Sequence, residues 1–283
     1  LFTADLHVLS CGITTLEEIM SDKPESVGNE VTYEVSDHVA VVTLNRPDKR
    51  NAVNGAVAQA LGWICEETER DDDVRVCILT SSLESTFCAG ADLSEISKGN
   101  GAALSTKEGG FAGFVKYPRT KPWIAAVRGN ALAGGCELPL ACDMIVAADN
   151  SRFGLPEVKR GIFAGAGGVF RLPRALPRNV ALEIVATGDP LPAERLYQLG
   201  LINRMVPSNE VIGEAQELAR QIGVNAPLAV RKSLEVARQA YDGTEQDLWK
   251  ASNEASAIVF SSEDAKEGPR AFLEKRAPVW KGK

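Results

Sequence analysis

The segment Lys121-Pro-Trp-Ile-Ala-Ala-Val-Arg-Gly-Asn-Ala-Leu-Ala-Gly-Gly-Cys-Glu-Leu138 decides how this chain folds. Trp123 to Val127 is a continuous apolar run, which predicts a short strand buried on both faces. Ala133-Gly134-Gly135 carries glycine where a side chain would block the backbone, and Gly134 to Cys142 predicts a helix. A helix that starts near Gly134 leaves its first amides without an intrahelical partner. Those amides can donate to an oxygen that gains negative charge, assisted by the helix dipole. Glu137 follows three residues on, on nearly the same face. The helix start favours its ionised form, as a general base requires. The same glutamate also reads simply as charge matching at a helix N-terminus.

Working outward, two further loops repeat the pattern. Val74 to Thr80 predicts a buried parallel strand and is followed by Phe87-Cys-Ala-Gly-Ala-Asp-Leu93. Gly165-Ala-Gly-Gly168 comes shortly after Phe153-Gly-Leu-Pro-Glu157, which supplies a second carboxylate, Glu157. Two carboxylates placed by loops and backed by exposed N–H groups can run paired acid–base chemistry. In α/β folds, ligands settle beyond the carboxyl ends of strands, where such loops gather. Upstream, Val31 to Val35 and His38 to Leu44 read as a strand pair joined by a Ser-Asp turn. Val53 to Arg70 reads as a helix with Val53, Val57, Ala60, Leu61 and Ile64 on one face. Asp71-Asp72-Asp73 reads as a solvated turn, residues 97–110 as a mobile loop, and Met144 to Ala147 and Arg152-Phe153 as further strand pieces. Beyond Gly168 the chain turns mostly helical, over 168–175, 179–187, 192–199, 208–223, 227–241, 244–260 and 262–275. The expected fold class is α/β. An N-terminal tail (1–29, with a helical turn at Thr15 to Met20) precedes an α/β core (30–205) and a helical C-terminal region (206–283).

Composition narrows the chemistry. The 283 residues are 45% hydrophobic and 24% charged, an ordinary globular balance for one large domain or one domain with an appendage. A net charge of −7 argues against a nucleic-acid partner. The only histidines are His7 and His38, so a Ser-His-Asp or Cys-His unit has little to work with, and no Gly-x-Ser-x-Gly elbow occurs. Cys11, Cys65, Cys77, Cys88, Cys136 and Cys142 form no Cys-x-x-Cys pair, so no metal site is expected. Most fall in apolar or mixed segments as small buried hydrophobes, which suits a reducing compartment and a cytoplasmic location. No apolar run approaches a membrane span, and the first residues make a poor signal peptide. The run at 165–168 lacks the Gly-x-Gly-x-x-Gly spacing of a dinucleotide loop, and no Walker-A motif is present. Tight packing at a helix start is the plainer reading of that run.

Four segments, in order and spacing, carry a resemblance to the crotonase (enoyl-CoA hydratase/isomerase) superfamily. They are Leu44-Asn-Arg-Pro-Asp-Lys-Arg-Asn-Ala52, the 87–93 and 121–138 stretches, and 153–157 through Gly168. The resemblance runs from about Val31 to the C-terminus. It implies a ββα spiral core with a helical C-terminal trimerisation region, assembly as a homotrimer or a hexamer built as a dimer of trimers, and an acyl-CoA thioester substrate. No separate cofactor is implied, since coenzyme A is part of the substrate. Matched residue by residue, the oxyanion-hole amides fall on Ala91 and Gly134, and the hydratases' two acid–base glutamates on Glu137 and Glu157. Lys49, Arg50 and Ala52 match the nucleotide end of the coenzyme A site. Ala89, Asp92 and Leu93 match its pantetheine and adenine side. Phe272 and Lys275 match a C-terminal element that often reaches a neighbouring subunit's site.

The expected function is therefore an enoyl-CoA hydratase. Gly109-Gly-Phe-Ala-Gly113, Gly167 to Pro173 and the stretches Ser262 to Pro269 and Lys275 to Gly282 resemble carnitinyl-CoA (crotonobetainyl-CoA) dehydratases in particular, which makes that activity the alternative. Trp123 and Trp249 are the aromatics considered for a trimethylammonium group. An enoyl-CoA isomerase is a further alternative, although it needs only one base, and a non-catalytic acyl-CoA-binding scaffold is another. Arg128, Asn130 and Ala164 depart from the family pattern and are expected to alter the pocket wall or a loop pose.

Overall fold

The computed structural model describes residues 23–283. The helical turn expected at Thr15 to Met20, His7, Cys11 and most of the 1–29 segment lie outside the described residues. A hairpin opens the described fold, with β1 (Val31–Ser36) antiparallel to β2 (Val39–Leu44). Its two turn residues, Asp37 and His38, have φ of 49° and 66°. Both are left-handed, as a two-residue hairpin turn matched to strand twist requires. His38 uses its ring Nδ1 on Asp73, 2.8 Å away, so this histidine belongs to the hairpin end.

Asn54 caps α1 (Gly55–Arg70) by accepting the Val57 N–H at 2.8 Å. The helix begins two residues later than its apolar period predicts, because Val53 instead forms a parallel bridge with Ala91. Next come β3 (Val76–Ser81), β4 (Thr86–Cys88) and α2 (Leu93–Ser97). Residues 97–110, expected as a mobile loop, instead include a 3₁₀ turn and the start of a small hairpin, β5 (Ser105–Thr106) with β6 (Gly110–Phe111). Turn chemistry explains the difference: Thr106 Oγ1 accepts the Gly109 N–H at 3.0 Å, and Gly110 takes φ 62°.

The main sheet has strand order β1-β2-β3-β7-β9-β12, with β7 (Trp123–Val127), β9 (Met144–Ala148) and β12 (Arg204–Val206). Every pair after β1–β2 is parallel. A second sheet, β11-β10-β8-β4, adds β8 (Asn130–Leu132), β10 (Arg152–Gly154) and β11 (Leu191–Pro192). The helix α3 (Gly134–Leu140) leaves β8 directly.

All six residues of β3 are buried, and the alternation of a strand divides them between two layers. Val76 and Ile78 meet Val211, Ala215 and Ala219 of the helix α7 (Val211–Gly223). Those three lie one helical turn apart on a single stripe, and the two alanines let the helix sit close to the sheet. Cys77 and Leu79 face the other way, into a layer shared with Leu61 and Ile64 of α1 and with Phe87, Ala131 and Phe153 of the second sheet.

The remaining helices are α4 (Gly168–Ala175), α5 (Arg178–Thr187), α6 (Ala193–Gln198), α8 (Pro227–Ala237), α9 (Glu245–Ser261) and α10 (Glu263–Glu274). The chain is thus α/β first and helical late, as its pattern predicts. The three-residue strands of the second sheet and β12 are what the sequence reading misses or only glimpses. No described helix is long and apolar enough to cross a membrane.

Leu79→Ala should lower stability by about 2–5 kcal/mol, read as a fall in the urea midpoint at fixed protein concentration. Val35→Ala, on the exposed side of β1, should stay within about 0.5 kcal/mol.

Candidate active site

Two backbone loops meet at the mouth of the second sheet. In the bridge to Val53, the Gly90 carbonyl accepts the Val53 N–H at 2.8 Å and the Asp92 N–H donates to the Val53 carbonyl at 2.8 Å. The intervening Ala91 N–H points the opposite way and has no backbone acceptor among the described residues. Gly134 opens α3, so its N–H has no intrahelical partner either. The loops touch: a Cβ at Gly90 would lie 2.9 Å from the Ala133 Cβ and 3.0 Å from the Gly134 nitrogen. Gly90 itself has φ 91°, so glycine is required there twice over. Ala133, with φ 55° and ψ −134°, carries the strain of turning the strand β8 into α3.

Both glutamates open onto the space beneath these amides. A cavity of about 840 Å³ is lined by Ala91, Gly134, Glu137 and Glu157, among others. Glu137 is buried in the first turn of α3, and its Oε1 accepts the Gly168 N–H at 2.8 Å. Burial raises its pKa, while the Gly168 and Ala166 N–H groups and then the Arg171 charge work against that rise. Glu157 lies in a 3₁₀ turn, Pro156–Arg160, and is buried with its Oε2 unpartnered among the described residues. Burial pushes its pKa up to about 7, and the neighbouring Glu137 charge adds to the rise.

Two facing carboxylates titrate as a pair. With one proton between them, it belongs on Glu157, which lacks donors on Oε2, and Glu137 stays ionised on its N–H contact. The arrangement can take a proton at one point, give one at another and stabilise an oxyanion beside both.

Of the coenzyme A positions expected from sequence, Arg50, Ala89 and Leu93 line this cavity. Ala89 is tied to the upstream loop, its N–H donating to the Arg50 carbonyl at 3.1 Å. Lys49, Ala52 and Asp92 do not line it. Lys49 is exposed. Asp92 caps α2, accepting from the Ser94 N–H at 3.0 Å, and pairs with Arg46 at 3.3 Å. The Arg46 guanidinium also grips the Ala52 carbonyl, so these residues brace the loop. Phe272 is 82% exposed on α10 and Lys275 is exposed just after it, neither of them at the cavity of its own chain.

Several lining residues escape sequence reasoning: Phe111 from the small hairpin, Ile162 and Phe163 from the loop before Gly165, and Lys116 and Arg160. Phe111 belongs to the Gly109–Gly113 stretch, where the glycines were a visible sign. Its ring lies 2.6 Å from where a Gly134 Cβ would be, which explains the glycine. Trp123 is buried against Phe114 with ring centroids 5.0 Å apart, and Trp249 is exposed on α9, so neither lines the cavity. Arg128 donates to the Ser81 carbonyl at 2.8 Å, Asn130 pairs within the second sheet, and Ala164 is buried between the lining residues Phe163 and Gly165; none of the three itself lines the cavity.

The profile of the enoyl-CoA hydratase/isomerase family matches residues 34–283. The carnitinyl-CoA dehydratase of Salmonella typhi is 41% identical over 247 residues, covering 86% of this chain and 94% of that protein. The crystal structure of enoyl-CoA hydratase from Mycobacterium tuberculosis H37Rv superposes with a TM-score of 0.86 at 43% identity, covering 90% of this chain and 99% of that one. The crystal structure of carnitinyl-CoA hydratase from Mycobacterium avium is 48% identical with a TM-score of 0.72, covering 90% and 99%.

The raised Glu157 carboxyl makes a stability prediction. The folded state holds this proton more tightly than the unfolded chain, so its contribution is fully present below the ordinary glutamate range. It is lost as pH climbs through about 7. Glu157→Gln, which cannot ionise, should therefore have a higher melting temperature than the wild type at pH 8 and no advantage at pH 4.

Proposed function

The chain belongs to the enoyl-CoA hydratase/isomerase family, and from that premise we propose that it is an enoyl-CoA hydratase, a hydro-lyase that adds water reversibly across the 2,3-double bond of an acyl-CoA thioester. The observation that carries this reading is the opposed state of two buried carboxylates in one cavity. Glu137 accepts a backbone N–H, and Glu157 has a bare Oε2 and a pKa near 7.

In the hydration direction, ionised Glu137 takes a proton from water, and the water oxygen bonds to Cβ. The π electrons move onto the thioester, whose oxygen becomes an enolate held by the Ala91 and Gly134 N–H groups. A single donor of this kind contributes about 3–4 kcal/mol to lowering the barrier. Protonated Glu157 then delivers its proton to Cα, giving the 3-hydroxyacyl thioester. Glu137 is left protonated and Glu157 ionised, the state that runs the reverse dehydration. The chemistry adds the elements of water with no change of overall oxidation state and calls on no cofactor beyond the coenzyme A carried by the substrate.

Arg50, Ala89 and Leu93 are suited to the coenzyme A portion, with Lys49, Ala52 and Asp92 forming and flanking that rim. The helices α8 and α9 bury none of their own residues, and Trp249 and Phe260 are 61% and 78% exposed. Apolar surface of this kind supports a homotrimer or a hexamer. Phe272 and Lys275 would act only across such an interface.

The similarity to proteins named carnitinyl-CoA dehydratase and hydratase supports a second reading, dehydration of carnitinyl-CoA by the same machinery. Phe111 and Phe163, rather than Trp123 or Trp249, are the aromatics available to a cationic acyl end. Retention of both carboxylates favours hydration over isomerisation, which needs one base.

Loss of the conjugated-thioester absorbance should be followed with crotonyl-CoA and separately with crotonobetainyl-CoA. Glu137→Gln and Glu157→Gln should each lower kcat by about 100-fold or more. Full activity in both variants would refute the mechanism, and no turnover of either ester would refute the function. In the wild type, kcat/KM for hydration should fall as pH rises above about 7, because Glu157 loses the proton that it must deliver.

A further inference from the structure

Arg171 lies in the first turn of α4 and reaches back over the glycine run. Its Nη1 donates to the Ala166 carbonyl at 3.0 Å, and its Nη2 donates to the Val115 carbonyl at 2.6 Å. Ala166 is thus held at both of its peptide bonds, since its N–H, in the bond to Gly165, faces the Glu137 carboxylate while its carbonyl, in the bond to Gly167, accepts from Arg171. Gly167 leaves the necessary room: a Cβ there would overlap Nη1. One residue further on, Gly168 gives its N–H to Glu137. Both acceptors of the guanidinium are neutral carbonyls, and among the described residues no carboxylate lies within ion-pair distance of it.

We propose that Arg171 is a positioning residue for the acid–base pair. Its fork fastens the Ala166 carbonyl so that the Gly168 N–H stays on Glu137, and its unneutralised charge keeps Glu137 ionised while Glu157 holds the proton.

The inference rests on the reading of Glu137 as the base that activates water. The other groups around the guanidinium are accounted for. Arg119 and Arg174 repel it, and the half-buried Cys142 has its thiol pKa pushed up to about 12 by desolvation, so it is neutral. Arg174 is itself paired with Asp242, and Asp143 with Arg238. Lys116, on the wall between the cavity and the arginine-lined groove behind it, adds positive charge. On the far side, Glu157 is the like-charged neighbour of Glu137. Burial opposes ionisation of Glu137; the Gly168 and Ala166 N–H groups favour it, and Arg171 is the side-chain charge that acts with them.

The test is the pH profile of kcat/KM for crotonyl-CoA hydration, measured on the full chain with Arg171→Gln and Arg171→Lys. Glutamine keeps an N–H donor and loses the charge; lysine keeps the charge and loses the fork. The acid limb, which reports Glu137, should move up by about one pH unit in Arg171→Gln. It should return to within about 0.3 unit of the wild type in Arg171→Lys, with kcat lowered in both. A structural role alone would scale the whole profile and leave the limb in place, so an unmoved limb in Arg171→Gln overturns the proposal, as does an equal shift in both variants. Should Arg171→Gln fail to fold, Arg171→Met serves instead, since it keeps the apolar stem and loses the charge, and an unmoved limb there has the same meaning. Glu137→Gln is assayed in parallel. If it keeps activity, the acid–base reading itself fails; if it is inactive while the Arg171→Gln limb stays put, only the role of Arg171 fails.

Discussion

The close approach of two backbone loops is the constraint on which the rest of this structure depends. A Cβ at Gly135 would overlap the Cys88 carbonyl, and one at Gly90 would press on Ala133 and Gly134. With no side chains between them, the ends of β4 and β8 bring their following peptides to the rim of one cavity. The parallel pairing of β4 with β8 fixes the lateral spacing, and the bridge of Val53 to Ala91 turns the Ala91 N–H inward. Everything chemical is arranged around that junction. Glu137 follows from it along α3, and Glu157 arrives from β10, the neighbour of β8 on its other side.

The two carboxylates illustrate how environment gives one residue type two different electrostatic settings. Both are nearly inaccessible, so desolvation raises both. What separates them is the supply of backbone donors. Glu137 meets the start of α4, where the N–H groups of the glycine run are free. The Glu157 side chain is buried and keeps one oxygen without a partner among the described residues. The tight packing read from the run at 165–168 is half of its structural meaning, since Gly168 also lies against Leu155 and the Glu137 side chain. The other half is that close packing exposes an amide to a carboxylate.

Much of this was legible in the sequence, and the limits have physical causes. Long elements such as α1 and α7 announce themselves by periodicity, and β3 and β7 by apolar runs. The second sheet is made of strands of two or three residues, too short to show alternation; its order is set by the loops it must align. The two glutamates and the amide at Gly134 were readable because glycine spacing and carboxylates carry chemistry on their face, whereas the Ala91 amide was read from resemblance. The cavity wall was not. Phe111, Ile162 and Phe163 come from irregular segments, where an apolar residue gives no sign of which way it points. Phe272 and Lys275 were read from resemblance, and a single chain leaves them remote from its own cavity.

A last consequence lies in the use of peptide groups rather than side chains at the junction of the loops. An amide N–H is present in every residue but proline, so replacing Ala91 by another amino acid leaves the donor itself in place. Scanning such a site by truncating side chains would pass over its electrostatic centre and report only on its surroundings. The permissible variation is correspondingly lopsided. The exposed wall residues Ile162 and Phe163 have room to change size and polarity, while the glycines that let the backbones touch do not. A fold organised in this way can keep one piece of chemistry fixed and exchange the molecule it is applied to.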